Sequence, residues 1–170
     1  LLTTIKAHGS AISDLSFSHN GEYLASTSFD GTVKLWKFSN SLLTILRRHT
    51  AGVWGVALSK NQRLVVSSSG NEVFLWHRNR KLLRRFEGRN SAFSGVAISP
   101  DNNIIAVASA DKSVKLWSAD GTLLKTLPGG VDMRRVVFSP DGKIIASSSG
   151  DRTVKLWQLD GTELTSLRGH

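Results

Sequence analysis

Short apolar segments recur along this chain and are separated by polar, turn-forming segments. Within a segment, apolar and polar positions alternate with a period of two, as in Val33-Lys34-Leu35-Trp36. This alternation is typical of a β-strand, whose successive side chains point to opposite faces. Apolar residues do not recur at helical spacing. The pattern therefore predicts an all-β chain built from short strands.

The strand pattern repeats with a period marked by tryptophan. Four of the five tryptophans, at positions 36, 76, 117 and 157, are separated by 40, 41 and 40 residues, and each ends a similar segment: TVKLW, EVFLW, SVKLW and TVKLW. Two strands precede each segment and one follows it, and we name the four strands a, b, c and d, with the tryptophan on c. Four strands repeating every 40 to 45 residues or so are typical of β-propeller blades.

The period divides the chain into four blades within one domain, residues 1–170. Asp-Gly pairs at Asp120-Gly121 and Asp160-Gly161 mark two c–d turns as tight hairpins. The predicted blades are residues 8–47, 48–87, 88–128 and 129–168. Residues 1–7 are predicted to form an extra strand d, so that the chain has four a-b-c triplets and five d strands.

The repeat resembles the WD-repeat family over nearly the whole chain. The resemblance implies a hydrogen-bonded set in each blade, comprising a His before strand a, a Ser or Thr on strand b, an Asp in the b–c turn and the strand-c Trp. Repeat 1 matches with His8, Ser28, Asp30 and Trp36. Partial sets are predicted in the other repeats: His49, Ser68 and Trp76; Ser109, Asp111 and Trp117; Ser149, Asp151 and Trp157.

The sets of repeats 2 to 4 are incomplete. Gly70 stands in the Asp position of repeat 2, Arg89 in the His position of repeat 3, and Gly129 or Gly130 in the His position of repeat 4. Fewer buried hydrogen bonds predict that blades 2 to 4 are less rigid than blade 1. The strand-d form Asp-Gly-Thr-x-Leu and the turn Ser-Pro-Asp-Gly-Lys also resemble the long WD-repeat arrays of bacteria, cyanobacteria included.

Four blades raise the question of closure, because the resemblance implies a closed ring of about seven or eight blades. An open arc of four would expose apolar faces at both ends. Three alternatives remain: two copies of the chain join as an eight-bladed ring, the chain is a segment of a longer propeller, or four blades form a stable monomer.

Composition limits the classes of partner. The formal net charge is +9 with a pI of about 10.4, which favours acidic partners. The absence of cysteine excludes disulfides and thiolate metal sites, and it fits the cytoplasmic location that we expect. No apolar stretch approaches the roughly 18 residues of a membrane span.

The resemblance implies a protein-interaction scaffold that binds partners at the face carrying the d–a loops and b–c turns. Four residues there are candidate contacts: Trp54, Arg134, Phe29 and Arg89. Trp54 lies outside the strand-c register, at the start of strand a, where the other blades have Ser13, Ser94 and Arg134. Exposed Trp and Arg are enriched among binding hot spots, although packing of Trp54 on a neighbouring loop is the alternative.

A basic run through the c–d turn and strand d of repeat 2 is a second candidate surface. It contains Arg78, Arg80, Lys81, Arg84 and Arg85, with Arg89 beyond it. The charges are expected to protect a sheet edge from pairing, or to bind acidic protein, anionic lipid or nucleic acid. Only Phe86 is nearby, so a base-stacking platform is not expected.

Catalysis is not expected. No histidine lies at metal-ligand spacing from another histidine or from carboxylates, and no phosphate-binding glycine loop is present. The turn aspartates recur with the period, as structural residues do. We therefore predict no catalytic residue, no metal and no cofactor.

Overall fold

The computed structural model describes residues 4–37, 41–88 and 91–168, which form four separate sheets of four strands. Blade 1 contains β1 (Ile12–Phe17), β2 (Tyr23–Ser28), β3 (Thr32–Lys37) and β4 (Ser41–Arg47). Blade 2 contains β5 (Gly55–Leu58), β6 (Leu64–Ser69), β7 (Glu72–His77) and β8 (Leu82–Glu87). Blade 3 contains β9 (Phe93–Ile98), β10 (Ile104–Ser109), β11 (Ser113–Ser118) and β12 (Leu123–Pro128). Blade 4 contains β13 (Met133–Phe138), β14 (Ile144–Ser149), β15 (Thr153–Gln158) and β16 (Glu163–Arg168).

Each sheet is an antiparallel meander in which strands pair in chain order, so strands a to d are the four strands of each blade. The same register shift occurs beside every strand-c tryptophan, where strand d skips one residue. This irregularity shows that the four blades repeat one backbone unit. No helix occurs among the described residues, and the prediction of an all-β segment of four WD-type blades is confirmed.

Adjacent blades pack face to face and enclose three apolar cores. We call the face of a blade that carries its strand-c tryptophan the leading face, and the opposite face the trailing face. Between blades 1 and 2, Val33, Leu35 and Leu46 of the trailing face meet Val56 and Trp76 of the leading face. The other two junctions repeat this arrangement. Burial between blades therefore stabilises the arc, and each blade depends on its neighbours.

The two outermost faces have no neighbour. On the leading face of blade 1, Leu15 is 56% exposed, whereas the equivalent Val56 of blade 2 is 4% exposed, and Phe17 on the same face is 60% exposed. On the trailing face of blade 4, Leu167 is 52% exposed, whereas the equivalent Leu127 of blade 3 is 1% exposed. One uncovered face is a leading face and the other is a trailing face. They are therefore the same two kinds of face that pack together at the internal junctions.

Residues 4–8 contain no strand, and the extra strand d at residues 1–7 stays a prediction. In all four blades strand d pairs with strand c of its own blade. Residues 1–3 lie outside the described residues. No helix in the described ranges is long and apolar enough to cross a bilayer.

Candidate functional site

Blade 1 contains a complete hydrogen-bonded set that closes its b–c turn. The Asp30 carboxylate accepts hydrogen bonds from Gly9 N at 2.9 Å, Thr32 N at 3.0 Å and Thr32 Oγ1 at 2.6 Å, and His8 Nδ1 lies 3.1 Å from its Oδ2. Burial opposes ionisation of Asp30, but these hydrogen bonds outweigh it and hold the pKa of the carboxyl well below its usual range. Burial lowers the pKa of His8, although Asp30 partly offsets it.

The hydroxyl that joins the histidine to the tryptophan is Ser26, and the prediction of Ser28 is wrong. Ser26 Oγ lies 2.7 Å from His8 Nε2 and accepts from Trp36 Nε1 at 2.9 Å. Trp36 pairs with Leu24, so Ser26 is its diagonal neighbour on the adjacent strand. Ser28 lies two further residues along, about 13 Å from the Leu24 position and out of reach of the indole.

The same correction applies in blades 2 to 4. Ser67 joins His49 to Trp76, at 2.7 and 3.0 Å, and Ser147 accepts from Trp157 at 3.0 Å. In blade 3 the joining position is Val107, which carries no hydroxyl. The predicted serines have other roles. Ser28, Ser109 and Ser149 accept from the backbone N–H of the turn aspartates, and Ser68 donates to Ser94 O.

Blade 2 lacks the aspartate because its b–c turn is shorter. Ser69 pairs with Glu72, so only Gly70 and Asn71 connect the strands, whereas three residues separate Ser28 from Thr32 in blade 1. His49 Nδ1 is therefore buried without a hydrogen-bond partner among the described residues. Its ring stacks on Phe74 with centroids 4.5 Å apart, and burial lowers the pKa of His49 to about 4.

Blades 3 and 4 retain the turn aspartate with other partners. Asp111 accepts hydrogen bonds from Ser113 Oγ and from Lys115 Nζ, both at 2.5 Å. The lysine is therefore a charged partner of this aspartate. Asp151 accepts from Thr153 Oγ1 at 2.6 Å. Gly130 lies so close to Asp151 that an added Cβ would be 2.7 Å from its Oδ2, which leaves no room for a histidine there. Arg89, predicted in the histidine position of blade 3, lies outside the described residues.

The number of partners of each joining serine predicts a graded loss of stability. Ser26→Ala removes the hydrogen-bond partner of both Trp36 and His8, whereas Ser147→Ala removes the partner of Trp157 alone. Both serines are 1% exposed, so burial is matched. We expect Ser26→Ala to lower the free energy of unfolding by about 2 kcal/mol and Ser147→Ala by about 1 kcal/mol, measured by urea denaturation. Equal losses would contradict the assigned partners.

The face formed by the d–a loops and b–c turns, which we call the loop face, carries an exposed aromatic pair. Trp54 and Phe29 are 51% and 43% exposed, and their rings meet edge to face with centroids 4.9 Å apart. Phe29 lies over Gly52, where an added Cβ would be 2.7 Å from the phenyl ring. The glycine therefore lets the Phe29 ring approach the backbone, and that ring supports one side of Trp54.

Trp54 also lines a cleft of about 370 Å³ on the loop face, at the inner strands of the blades. Ser13, Ser94 and Arg134, which share the position at the start of strand a, line the same cleft. Arg134 is exposed and pairs with Asp132 at 2.5 Å. Of the four predicted contacts, the structure brings together Trp54, Phe29 and Arg134, and Arg89 is outside the described residues. Asp132 was not among the predicted contacts.

The basic run of blade 2 does not form one continuous surface. Arg85 pairs with Glu72 and with Glu87, and Arg84 Nε donates to Asp120 O at 3.0 Å on blade 3. The guanidinium of Arg78 lies 4.7 Å from the centre of the Tyr23 ring. Neighbouring residues on a strand point to opposite faces, so the arginines separate onto different surfaces. Within the described ranges, no group of three or more His, Asp or Glu side chains could hold a metal ion.

Comparisons with known proteins agree with this geometry. The model of the family "WD domain, G-beta repeat" matches residues 1–37, 40–77, 80–118 and 121–158. The chain is also similar to Striatin-3 of Mus musculus, with 36% identity over 88 residues, which is 44% of this chain and 11% of the relative. The chain thus spans only a small part of the length of that protein. Four matched repeats covering most of the sequence show that the chain belongs to the WD domain, G-beta repeat family.

Proposed function

We propose that this chain is a non-catalytic protein-interaction scaffold whose partners bind at the loop face. Family membership supports a protein-interaction scaffold in general terms. The observation that carries the proposed site is the exposed pair of Trp54 and Phe29 beside a cleft. Large aromatic side chains that remain exposed at the edge of a concave surface are typical anchors in protein interfaces.

The cleft supports a peptide-like ligand in particular. Its apolar wall contains Trp54, Phe93 and Met133, and Arg134 adds a cation whose Asp132 partner is exposed to solvent. An apolar side chain of the partner can be buried against Trp54 while a carboxylate of the partner competes with Asp132 for the guanidinium. The protein's net charge of +9 also favours an acidic partner.

A peptide ligand selected from a random library provides the test. We expect Trp54→Ala to weaken binding of the selected peptide by about 30-fold, which corresponds to the 2 kcal/mol or so of a hot-spot residue. Arg134→Ala is expected to have a smaller effect, because the arginine must leave Asp132 to bind. Affinities are measured by isothermal titration calorimetry, and a selection performed with the Trp54→Ala variant is expected to yield different peptides.

Leu123→Ala is the matched control for this experiment. Leu123 is 51% exposed, as Trp54 is, but it lies on strand d at the outer rim of blade 3. We expect this variant to bind the peptide with an affinity within twofold of the parent. Unchanged affinity of Trp54→Ala, or equal losses in both variants, would contradict a binding site at the loop face.

We further propose that other WD blades cover the two outermost faces, supplied either by a second copy of the chain or by a longer parent protein. The three internal junctions support this, because each joins a trailing face to a leading face. The uncovered faces of blades 1 and 4 are one of each kind, so they can meet as the internal faces do. Two copies would close an eight-bladed ring.

A further inference from the structure

A groove with a basic lining lies at the outer rim between blades 1 and 2, away from the loop-face cleft. Its volume is about 430 Å³. Its apolar floor contains Leu46 and Trp76, which are 1% and 3% exposed. Its charged lining consists of three arginines, Arg47 and Arg48 at the end of strand d in blade 1, and Arg80 in the c–d turn of blade 2. None of the described residues that line the groove is acidic.

None of these three arginines forms an ion pair with an acidic side chain in the described part of the chain. Among the described residues, the arginines that form ion pairs are Arg85, Arg134 and Arg135. Three positive charges around one groove repel each other, although water screens much of this repulsion because all three side chains are exposed. An anion in the groove would relieve this repulsion.

Arg80 is held in position before any ligand binds. Its Nε donates to Thr44 Oγ1 at 2.6 Å, and Thr44 is 5% exposed on blade 1. This hydrogen bond leaves the two terminal nitrogens of the guanidinium for a ligand. Because the side chain is oriented by a buried group of the neighbouring blade, less conformational entropy is lost when it binds an anion.

Among the three junctions between blades, only the first has arginine at these three positions. The residues equivalent to Arg47, Arg48 and Arg80 are Glu87, Gly88 and Gly121 at the next junction, and Pro128, Gly129 and Gly161 at the last. Arg80 adopts a φ of 78°, in the left-handed region that Gly121 and Gly161 occupy at 109° and 96°. Glycine adopts this conformation without strain, so arginine is the costlier residue at this turn position.

We propose that the groove between blades 1 and 2 binds a phosphate monoester through Arg47, Arg48 and Arg80. A phosphate monoester carries a charge close to −2 and three terminal oxygens, which suit several guanidinium groups better than a single carboxylate does. The groove is larger than a bare phosphate, so the group esterified to it would lie on Leu46 and Trp76. This inference does not depend on the loop-face site.

Inorganic phosphate is the probe for the test, titrated at constant ionic strength and followed by NMR of the arginine side-chain N–H groups. We expect saturable binding that shifts the Arg80 Nε–H signal. Arg80→Gly is expected to lower the affinity about tenfold or more, the loss typical of one charge-assisted hydrogen-bonding partner. The variant introduces the residue that blades 3 and 4 have at this turn position, so the fold is expected to be retained.

Arg152→Gln is the control for net charge. Arg152 is exposed in the b–c turn of blade 4, far along the chain from the groove, and its loss changes the charge by the same amount. We expect this variant to bind phosphate within twofold of the parent. Absence of saturable binding by the parent, or equal loss in Arg80→Gly and Arg152→Gln, would overturn the proposal in favour of general electrostatic attraction.

A second arm identifies the source of the phosphate monoester, which can be a soluble molecule or a lipid headgroup. Phosphatidylcholine vesicles containing phosphatidic acid are sedimented with the parent and both variants. Sedimentation lost in Arg80→Gly and kept in Arg152→Gln supports the groove as a lipid headgroup site. If the protein binds phosphate saturably but does not sediment, or sediments equally in both variants, the ligand is a soluble phosphate monoester.

Discussion

Leu127→Ala is expected to lower the free energy of unfolding by about 2 to 5 kcal/mol, whereas Leu167→Ala is expected to lower it by less than about 1 kcal/mol. The two leucines occupy the same strand-d position in blades 3 and 4, and the substitution is identical. Leu127 is 1% exposed within the core between those blades, and Leu167 is 52% exposed on the last trailing face. Only the first substitution leaves a cavity.

Leu46→Ala extends this comparison, because Leu46 holds the same position in blade 1 and is 1% exposed. It should resemble Leu127→Ala in urea denaturation at low protein concentration. If a second copy covers the last trailing face, the cost of Leu167→Ala rises with protein concentration, and light scattering gives a mass above 18.5 kDa. Equal costs for Leu127→Ala and Leu167→Ala in a monomer of that mass would contradict the proposed junctions.

The period of the tryptophans predicts the four blades well, for a physical reason. The strand-c tryptophans Trp76, Trp117 and Trp157 are buried in the junctions with the preceding blades, and their partners recur at fixed spacing. A period of 40 or 41 residues therefore predicts both the strands of each blade and the packing of one blade on the next. The periodicity does not indicate what covers the two outermost faces.

The joining serine could not be assigned from spacing alone. Strand b of blade 1 contains Ser26, Thr27 and Ser28 in succession, so three hydroxyls are available. Which of them meets the indole depends on the pairing of Trp36 with Leu24, and a shift of one residue reverses the face. The predicted Ser28 lies on the same face of strand b as Ser26 but two residues further along the strand.

The two candidate surfaces differ in how far the sequence could predict them. Trp54 stands out because it breaks the tryptophan register, and the structure places it beside Phe29 on the loop face. The basic groove depends on contacts between blades, since Arg47 and Arg80 are 33 positions apart and meet only when blades 1 and 2 stack. The run from Arg78 to Arg85 predicts the local charge but not how the arginines divide between ion pairs and the groove.

The second large effect concerns pH, and we expect the protein to lose about 2 kcal/mol of stability between pH 6.5 and pH 5 because of His49. Burial lowers the pKa of this imidazole to about 4, whereas in the unfolded chain it is near 6.5. Below pH 6.5 the unfolded state therefore binds a proton that the folded state excludes, so stability falls as pH falls. Asp30 also makes stability fall as pH falls, but only at lower pH. The pKa of its carboxyl is depressed in the folded state, so the unfolded chain binds the proton more readily.

Unfolding by urea at pH 7 and pH 5 measures this effect, and His49→Gln is expected to remove most of it. Glutamine does not titrate, so the variant should have nearly equal stability at the two pH values, even if lost packing on Phe74 lowers both. His8→Gln is the matched control, because Asp30 raises the pKa of His8 against the effect of burial and so reduces its contribution. The pH dependence should therefore change less in His8→Gln than in His49→Gln. A folded-state pKa of His49 near 6.5 by NMR titration would contradict the explanation, since a histidine with an unshifted pKa contributes no pH dependence to folding.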